Sequence, residues 1–241
     1  PEPPLDNVAD LRKDKLVMWQ HKWDKLIALT VGLLLPSLVG YLLAGPAGAL
    51  GGFLIVGTFR IFLVQQCTFF INSLCHTIGS QPYSTRCSAR DSFIMSLVTY
   101  GEGYHNYHHE FQHDYRNGVK SWNFDPTKWA IWCLSKLGLA ENLRRVPNSR
   151  VLLAEMTEAR RRAEAELAKV AESHDHAWRE SATAALNELL ERLATSYHEV
   201  EQAIAERVDL SRKTMARWRL ETREILNHLA EIRNSRIPQM A

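Results

Sequence analysis

The sequence predicts an all-α chain made of a transmembrane helical hairpin, a cytosolic helical cap and a long helical C-terminal extension. Three observations carry that prediction. Leu26–Ala44 is an unbroken uncharged run, LIALTVGLLLPSLVGYLLA. A second apolar run, Ala49 to Val64, follows it across the uncharged turn Ala44-Gly45-Pro46-Ala47-Gly48. From Asn148 onward the composition shifts to Ala, Glu and Arg, with no Gly or Pro between Val151 and Pro238. The expected division is a cytosolic pre-membrane segment over 1–25, the hairpin over 26–71, the cap over 72–147 and the extension over 148–241.

A helix as long as Leu26–Ala44 reaches roughly 28 Å at about 1.5 Å per residue, close to the thickness of a hydrocarbon core. Pro36 inside it is better tolerated in a membrane helix than in a soluble one. The second run is interrupted only by Arg60 and continues through Gln65-Gln66 into Cys67–His76. Arg12, Lys13, Lys15, Lys22 and Lys25 precede the first pass, and Arg86 and Arg90 follow the second. Basic residues favour the cytoplasmic side, so both ends are expected there and the AGPAG turn outside. The competing reading is a buried helical hairpin of a soluble protein. A charge at membrane depth normally faces protein or water, so Arg60 is expected to snorkel or to pair.

Ser92–Tyr100 and Trp129–Leu139 are apolar but too short to span. Trp129, Trp132 and Lys136 suit either an interfacial helix or an amphipathic helix packed on the cap. In the extension, Leu152, Met156, Ala159, Ala163, Leu167 and Val170, then Leu186, Leu189, Leu193, Tyr197, Val200 and Ile204, recur at helical spacing and approximate a heptad seam. Asp209 and Ser211 offer caps for a last helix reaching about Asn234. Two readings stand: a coiled-coil or helical-hairpin module that self-associates, or an extension packed on its own chain. Arg160-Arg161-Arg162 reads as a solvated face, and His174, His176, His198 and His228 as surface residues.

Composition excludes little by itself. Lys and Arg total 29 against 27 Asp and Glu, a net charge of +2, which gives no reason to invoke nucleic acid. Cys67, Cys75, Cys87 and Cys133 form no C-x-x-C pair, so a structural zinc site is not indicated and the thiols read as small hydrophobes. The start Pro1-Glu2-Pro3-Pro4 has no initiator Met and no signal peptide, so the chain is expected to continue a longer protein.

The chemistry lies between Asn72 and His109. Gly101-Glu102-Gly103-Tyr104-His105-Asn106-Tyr107-His108-His109 holds three histidines in one helical turn, and positions i, i+3 and i+4 share a helix face. Neutral imidazoles ligate iron, zinc and copper, and three so closely tethered are expected to serve more than one ion. His76, four residues after Asn72, is expected on the same face as that amide and is the candidate fourth ligand. No nucleophile elbow or phosphate-binding glycine loop is present. A site rich in imidazole and poor in carboxylate suits redox iron better than magnesium or calcium.

With Asn72-Ser73-Leu74-Cys75-His76 and GEGYHNYHHEF (Gly101–Phe111) in view, the chain resembles the integral-membrane acyl-CoA delta-9 (stearoyl-CoA type) desaturases. The longer motif is similar to that family's third histidine box. Lys15-Leu16-Val17-Met18-Trp19-Gln20-His21-Lys22 resembles the stretch before its third membrane helix, and Tyr115 and Trp122–Lys128 resemble the stretch after the third box. The resemblance covers residues 5 to 147. It implies half of a four-helix membrane domain under a cytosolic cap, and two irons held by nine histidines and a water on an Asn. His76, His105, His108 and His109 would be direct ligands and Asn72 would hold the water. The implied reaction inserts a cis double bond into a fatty acyl thioester with O2 and two electrons. Thr68, Phe69 and Phe70 are candidates for lining the acyl tunnel. His21 reads as structural, and His113 has no counterpart in the family.

The family also uses two further histidine boxes upstream of this one, H-x-x-x-x-H and H-x-x-H-H, and neither precedes Asn72 in these residues, so this stretch alone is expected to be inactive. A heme-binding His-Pro-Gly-Gly signature is also missing, which implies a separate electron donor, ferredoxin or a cytochrome. Two other functions fit the same residues: a membrane di-iron fatty acyl or alkyl hydroxylase, and a non-catalytic membrane-anchored helical scaffold.

Overall fold

The computed structural model describes residues 8–172, 175–208 and 210–235. His174, Asp209 and the Pro1–Pro4 start lie outside them. Among the described residues the chain is all-α, its only β contacts being isolated bridges from Asp91 to Ser80 and to Tyr104. It divides into two compact units, one up to Phe69 and one from Phe70 onward.

The first unit is a hairpin. Helix α1 (Lys15–Leu29) starts at Asp14, whose carboxylate accepts the amides of Leu16 and Val17 at 2.8 and 3.3 Å. It runs through a π-helical turn, Thr30–Leu34, into α2 (Leu35–Gly51), a second π-helical stretch Gly52–Phe59, and α3 (Arg60–Asn72). The run Lys15–His76 is long and apolar enough to cross a membrane. It reverses within α2, where Ala44 leaves helical geometry and Gly45 adopts φ 62°, a left-handed conformation that glycine enters without strain. Pro46 then begins the returning arm, where a missing amide costs little.

The two arms pack antiparallel through small residues. A Cβ on Gly40 would overlap the carbonyl oxygen of Gly48, one on Gly48 that of Gly40, and one on Gly52 that of Pro36. Close backbone approach of this kind is how helices associate in lipid, where apolar burial gives no driving force. The outer faces are apolar and open: Leu42 and Leu43 are 73% and 82% exposed, Ile55 67%. Hydroxyls in this setting turn back on their own helix, Thr30 to Leu26 O at 2.7 Å and Ser37 to Leu33 O at 2.8 Å. Arg60 finds its partners within the hairpin. Its Nε donates to Val56 O at 2.8 Å and its Nη2 reaches Gly32 O on the other arm at 3.5 Å.

In the second unit short helices carry the histidines and long ones brace them. After the 3-10 turn Leu74–His76 come α4 (Phe93–Val98), α5 (His105–Glu110), α6 (Pro126–Lys136), and then α7 (Asn148–Ala171), α8 (His176–Ala205) and α9 (Arg212–Ser235). Ser92 caps α4 through Met95 N, Asp125 caps α6 through Lys128 N, and Ser211 caps α9 through Thr214 N. On α6 the Trp129 and Trp132 rings are 43% and 51% exposed, with Lys128 Nζ and Lys136 Nζ 5.9 and 5.5 Å from their centroids. Trp129 also packs edge-on against Phe124, with ring centroids 5.9 Å apart.

Helices α7, α8 and α9 form a three-helix bundle. Leu152, Met156, Ala159, Leu186, Leu193, Val200, Trp218 and Ile225 make one buried core. Polar contacts fix the bundle's register: Arg219 Nε to Glu155 Oε2 at 2.7 Å, and Ser196 Oγ to Glu221 Oε2 at 2.9 Å. The seam expected to support a coiled coil between chains is filled within one chain, because α9 presents Trp218, Ile225 and Leu229 to it. Contacts also run across the compositional change at 147/148: Glu158 of α7 accepts Thr85 N at 3.2 Å and Thr85 Oγ1 at 3.1 Å. Arg160 and Arg161 lie on the solvated face as expected, while Arg162 is half-buried; Arg161 and Arg162 both grip Glu158, and Arg162 also donates to Gln81 O. His176, His198 and His228 are exposed.

Candidate metal centre

The site is built on α5, and α5 is placed by residues with no histidine chemistry of their own. Asp91 Oδ1 accepts the amides of Asn106 and Tyr107 at 2.8 and 3.1 Å, satisfying donors that the first turn of a helix leaves free. The Asp91 backbone exchanges hydrogen bonds with Ser80 at 2.6 and 2.9 Å, which ties the segment after His76 to the start of α5. Burial pushes the Asp91 carboxyl up to about 7, against the pull of the Tyr107 and Asn106 amides. Fully buried Asn106 fastens the intervening loop. Its Oδ1 accepts Tyr83 N and Ser84 N, and its Nδ2 donates to Ser84 O and Ala89 O. The far end of α5 is held by Tyr107, whose hydroxyl donates to Asp114 Oδ2 at 2.8 Å beside the buried Arg116–Asp114 ion pair. Gly101 (φ 106°) lies against Asp125, whose carboxylate would crowd any Cβ there.

On this frame three imidazoles converge. His76 Nε2 and His105 Nε2 are 3.1 Å apart, His109 Nε2 and His105 Nε2 are 3.1 Å apart, and the ligand atoms of all three lie within 4.8 Å of one another. His105 Nε2 carries either one hydrogen or one in-plane lone pair, so the two contacts compete for it. A cation between them removes that conflict. Ligand atoms about 2.1 Å from one ion and set at tetrahedral or octahedral angles stand about 3.0–3.4 Å apart, and the two 3.1 Å pairs match that spacing. His76 Nδ1 meets Ser88 Oγ at 2.9 Å, an outer partner that leaves Nε2 for the ion. His105 Nδ1 is buried with no partner among the described residues. Burial, and then its neighbours His109, His76 and His108, push His105 down to about 4, and burial also lowers His109. Both rings are therefore neutral near pH 7, the form that binds metal. Cys75, adjacent in sequence, is pushed up to about 11 by burial and then by Glu102 and Asp91, so it remains a thiol.

The other expected residues are placed differently. His108 shares α5 but not the cluster: its ring stacks on His105 at 6.1 Å between centroids. Asn72 ends α3, exposed, and His76 belongs to a separate 3-10 turn, because Ser73 (φ −117°, ψ −71°) interrupts the helix. The two therefore do not sit one turn apart on a single helix, as the spacing had suggested. Thr68 is exposed and donates to Val64 O at 3.0 Å, Phe69 is exposed and Phe70 half-buried. His109-Glu110-Phe111-Gln112-His113 also spells the H-E-x-x-H signature of zinc proteases, which sequence reasoning passed over. The structure does not build it, because Phe111 leaves the helix and His113 is exposed outside the cluster. Sequence reasoning also missed Asp91, Asn106 and Ser88, none of which carries a periodic signal. A cavity of about 310 Å³ beside the frame, bordered by Asp91, Tyr104, Glu155 and Arg219, is lined by none of the three histidines.

Comparison with known proteins places this frame. The model of the fatty acid desaturase family matches residues 4–134, a stretch that holds the hairpin and all four candidate ligands. The chain belongs to the fatty acid desaturase family. It is 42% identical over 140 residues to Acyl-CoA desaturase 1 of Saccharomyces cerevisiae, covering 58% of this chain and 27% of that protein. It is 45% identical over 145 residues to a probable acyl-CoA desaturase of Schizosaccharomyces pombe, covering 60% and 30%. It is 36% identical over 149 residues to the stearoyl-CoA desaturase of Sus scrofa, covering 61% and 41%. The chain thus spans between 27% and 41% of the length of these curated relatives. The family match ends before α7, so the three-helix bundle lies outside it. Desaturases of this family are membrane-associated, which fits the open apolar faces of the hairpin.

Proposed function

We propose that this chain supplies part of the di-iron centre of a fatty acyl desaturase acting on an acyl thioester, with O2 as oxidant and two electrons from a separate ferredoxin or cytochrome. The observation that carries this reading is the meeting of His76, His105 and His109 through their Nε2 atoms. In this reading the trio holds one iron, and His108, turned out of the cluster, serves the second, with Asn72 holding a water. Bound iron would activate oxygen; the protein's part is to keep the imidazoles neutral and oriented. Asp91 and Asn106 set where α5 starts, Ser88 orients His76, and Thr68, Phe69 and Phe70 border the acyl chain's approach. Both ends of the hairpin are assigned to the cytoplasm on the strength of the flanking Lys and Arg residues.

The test is a full-length protein carrying His105→Ala or His108→Ala, expressed in a host whose lipids are then analysed. Each is expected to abolish new double bonds and to lower iron content. Intact iron with no change in acyl unsaturation, whichever donor is supplied, would overturn the reading, and an alcohol product would turn it toward hydroxylation. Accessibility of cysteines placed at residue 12 and at the Ala44–Gly48 turn checks the orientation.

A further inference from the structure

Helix α7 lies outside the family match, yet one of its side chains is built into the support of the histidine site. Glu158 is 4% exposed. Its Oε2 accepts both the amide and the hydroxyl of Thr85, and its two oxygens take Arg161 and Arg162 at 3.1 and 2.8 Å. Arg162 also donates to the carbonyl of Gln81. The loop from Gln81 to Ala89 is therefore held from two sides. Glu158 and Arg162 hold it from the bundle, and the Asn106 amide, next to His105, holds it from α5. Gln81 Nε2 closes the loop on Cys87 O at 2.6 Å, and the next residue, Ser88, contacts His76 Nδ1 at 2.9 Å.

We propose that the α7–α9 bundle is a brace for the metal centre, in which Glu158 is a positioning residue that acts through Thr85 and Ser88 on the ring of His76. The proposal rests on the reading of His76, His105 and His109 as metal ligands. A carboxylate that takes two donors from one residue of the loop and two from its own helix leaves the loop little freedom to shift. Outer partners of metal-bound histidines tune affinity by about 10- to 100-fold. The bundle thereby gives the chain a means of setting metal affinity from residues that touch no metal.

The experiment uses the 241-residue chain in detergent micelles, with Co(II) as the probe. Co(II) affinity and visible spectrum, amide exchange at Thr85 and Ser88, and the His76 imidazole nitrogen shifts are measured in Glu158→Ala, Glu158→Gln and Glu164→Ala. Glu158→Ala is expected to speed exchange at Thr85, to move the His76 shifts and to weaken Co(II) by about 10-fold or more. Glu158→Gln keeps an acceptor for Thr85 and is expected to recover most of the loss. Glu164, exposed and paired with Arg160 at 2.8 Å on the same helix, is the control and is expected to change nothing. Wild-type affinity and unmoved His76 shifts in Glu158→Ala would overturn the brace. Should that variant unfold α7, Thr85→Val makes the same test from the loop side. Absence of Co(II) binding by the wild-type chain would defeat the metal reading, and the exchange and His76 shifts would still decide the brace.

Discussion

The Nε2 atoms of His76 and His105 stand 3.1 Å apart although 29 residues separate them in the chain. One ring comes from a 3-10 turn that follows an apolar helix and the other from the first position of α5. Their meeting depends on the loop between them, folded back by Asp91 and Asn106.

Metal binding is expected to distinguish the histidines. His105 belongs to both close pairs, so His105→Ala is expected to lower Co(II) affinity of the chain on the order of 100-fold or more, read by equilibrium dialysis. His108→Ala leaves the trio intact and is expected to stay within a few-fold of wild type in the same assay. Equal losses for the two variants would mean that His108 joins the trio's ion.

Asp91 acts as a cap for α5, and a lost cap typically costs about 1–2 kcal/mol. Asp91→Ala is expected to lower thermal stability by that amount. Asp91→Asn, which keeps an oxygen for Asn106 N and Tyr107 N, is expected to lose less. Thermal unfolding in micelles, followed by near-ultraviolet dichroism, separates the two.

Acid loosens the brace. Burial pushes Glu158 up, but the hydrogen bonds and charges of Arg161 and Arg162 outweigh it and hold the carboxyl below its usual range. Asp114 behaves likewise, with burial outweighed by Arg116 and the Val146 amide. A carboxyl with a depressed folded pKa adds stability that is fully present above its unfolded value, about 4, and is lost as pH falls through the folded value. Asp91, pushed up to about 7, works in the opposite sense between about pH 4 and 7. The readout is therefore local: exchange at Thr85 N is expected to stay slow from pH 7 to about 5 and to accelerate below about 4.

The hairpin depends on the contact between Gly40 and Gly48. Gly48→Val places a branched side chain against the Gly40 carbonyl and is expected to cost about 1–3 kcal/mol or to separate the arms. Gly51→Ala is the control, since a Cβ there meets nothing within 4 Å. Stability of the two variants in micelles, measured by steric trapping, gives the comparison.

The bundle core is close-packed at Leu193, 1% exposed. Leu193→Ala is expected to destabilise it by about 2–5 kcal/mol in urea titration.

The sequence by itself determined the elements whose cause lies in neighbouring residues. Uncharged runs long enough for a bilayer make the two arms, Gly45 makes the reversal, and apolar residues at helical spacing make α7 and α8. The histidine motif marks α5 as the candidate seat of the chemistry. Only the tertiary structure decided which imidazoles meet, because Ser73 breaks the helix that would have kept His76 in phase with Asn72, and because His108 stacks on His105 with its ligand atoms outside the close group. It also decided what fills the seam of the extension, since a heptad-like stripe is satisfied equally by a second chain or by α9. Asp91, Asn106, Ser88 and Glu158 were illegible for one reason. Each is an ordinary polar residue whose role is a hydrogen bond to a distant partner, and such bonds leave no period in the chain.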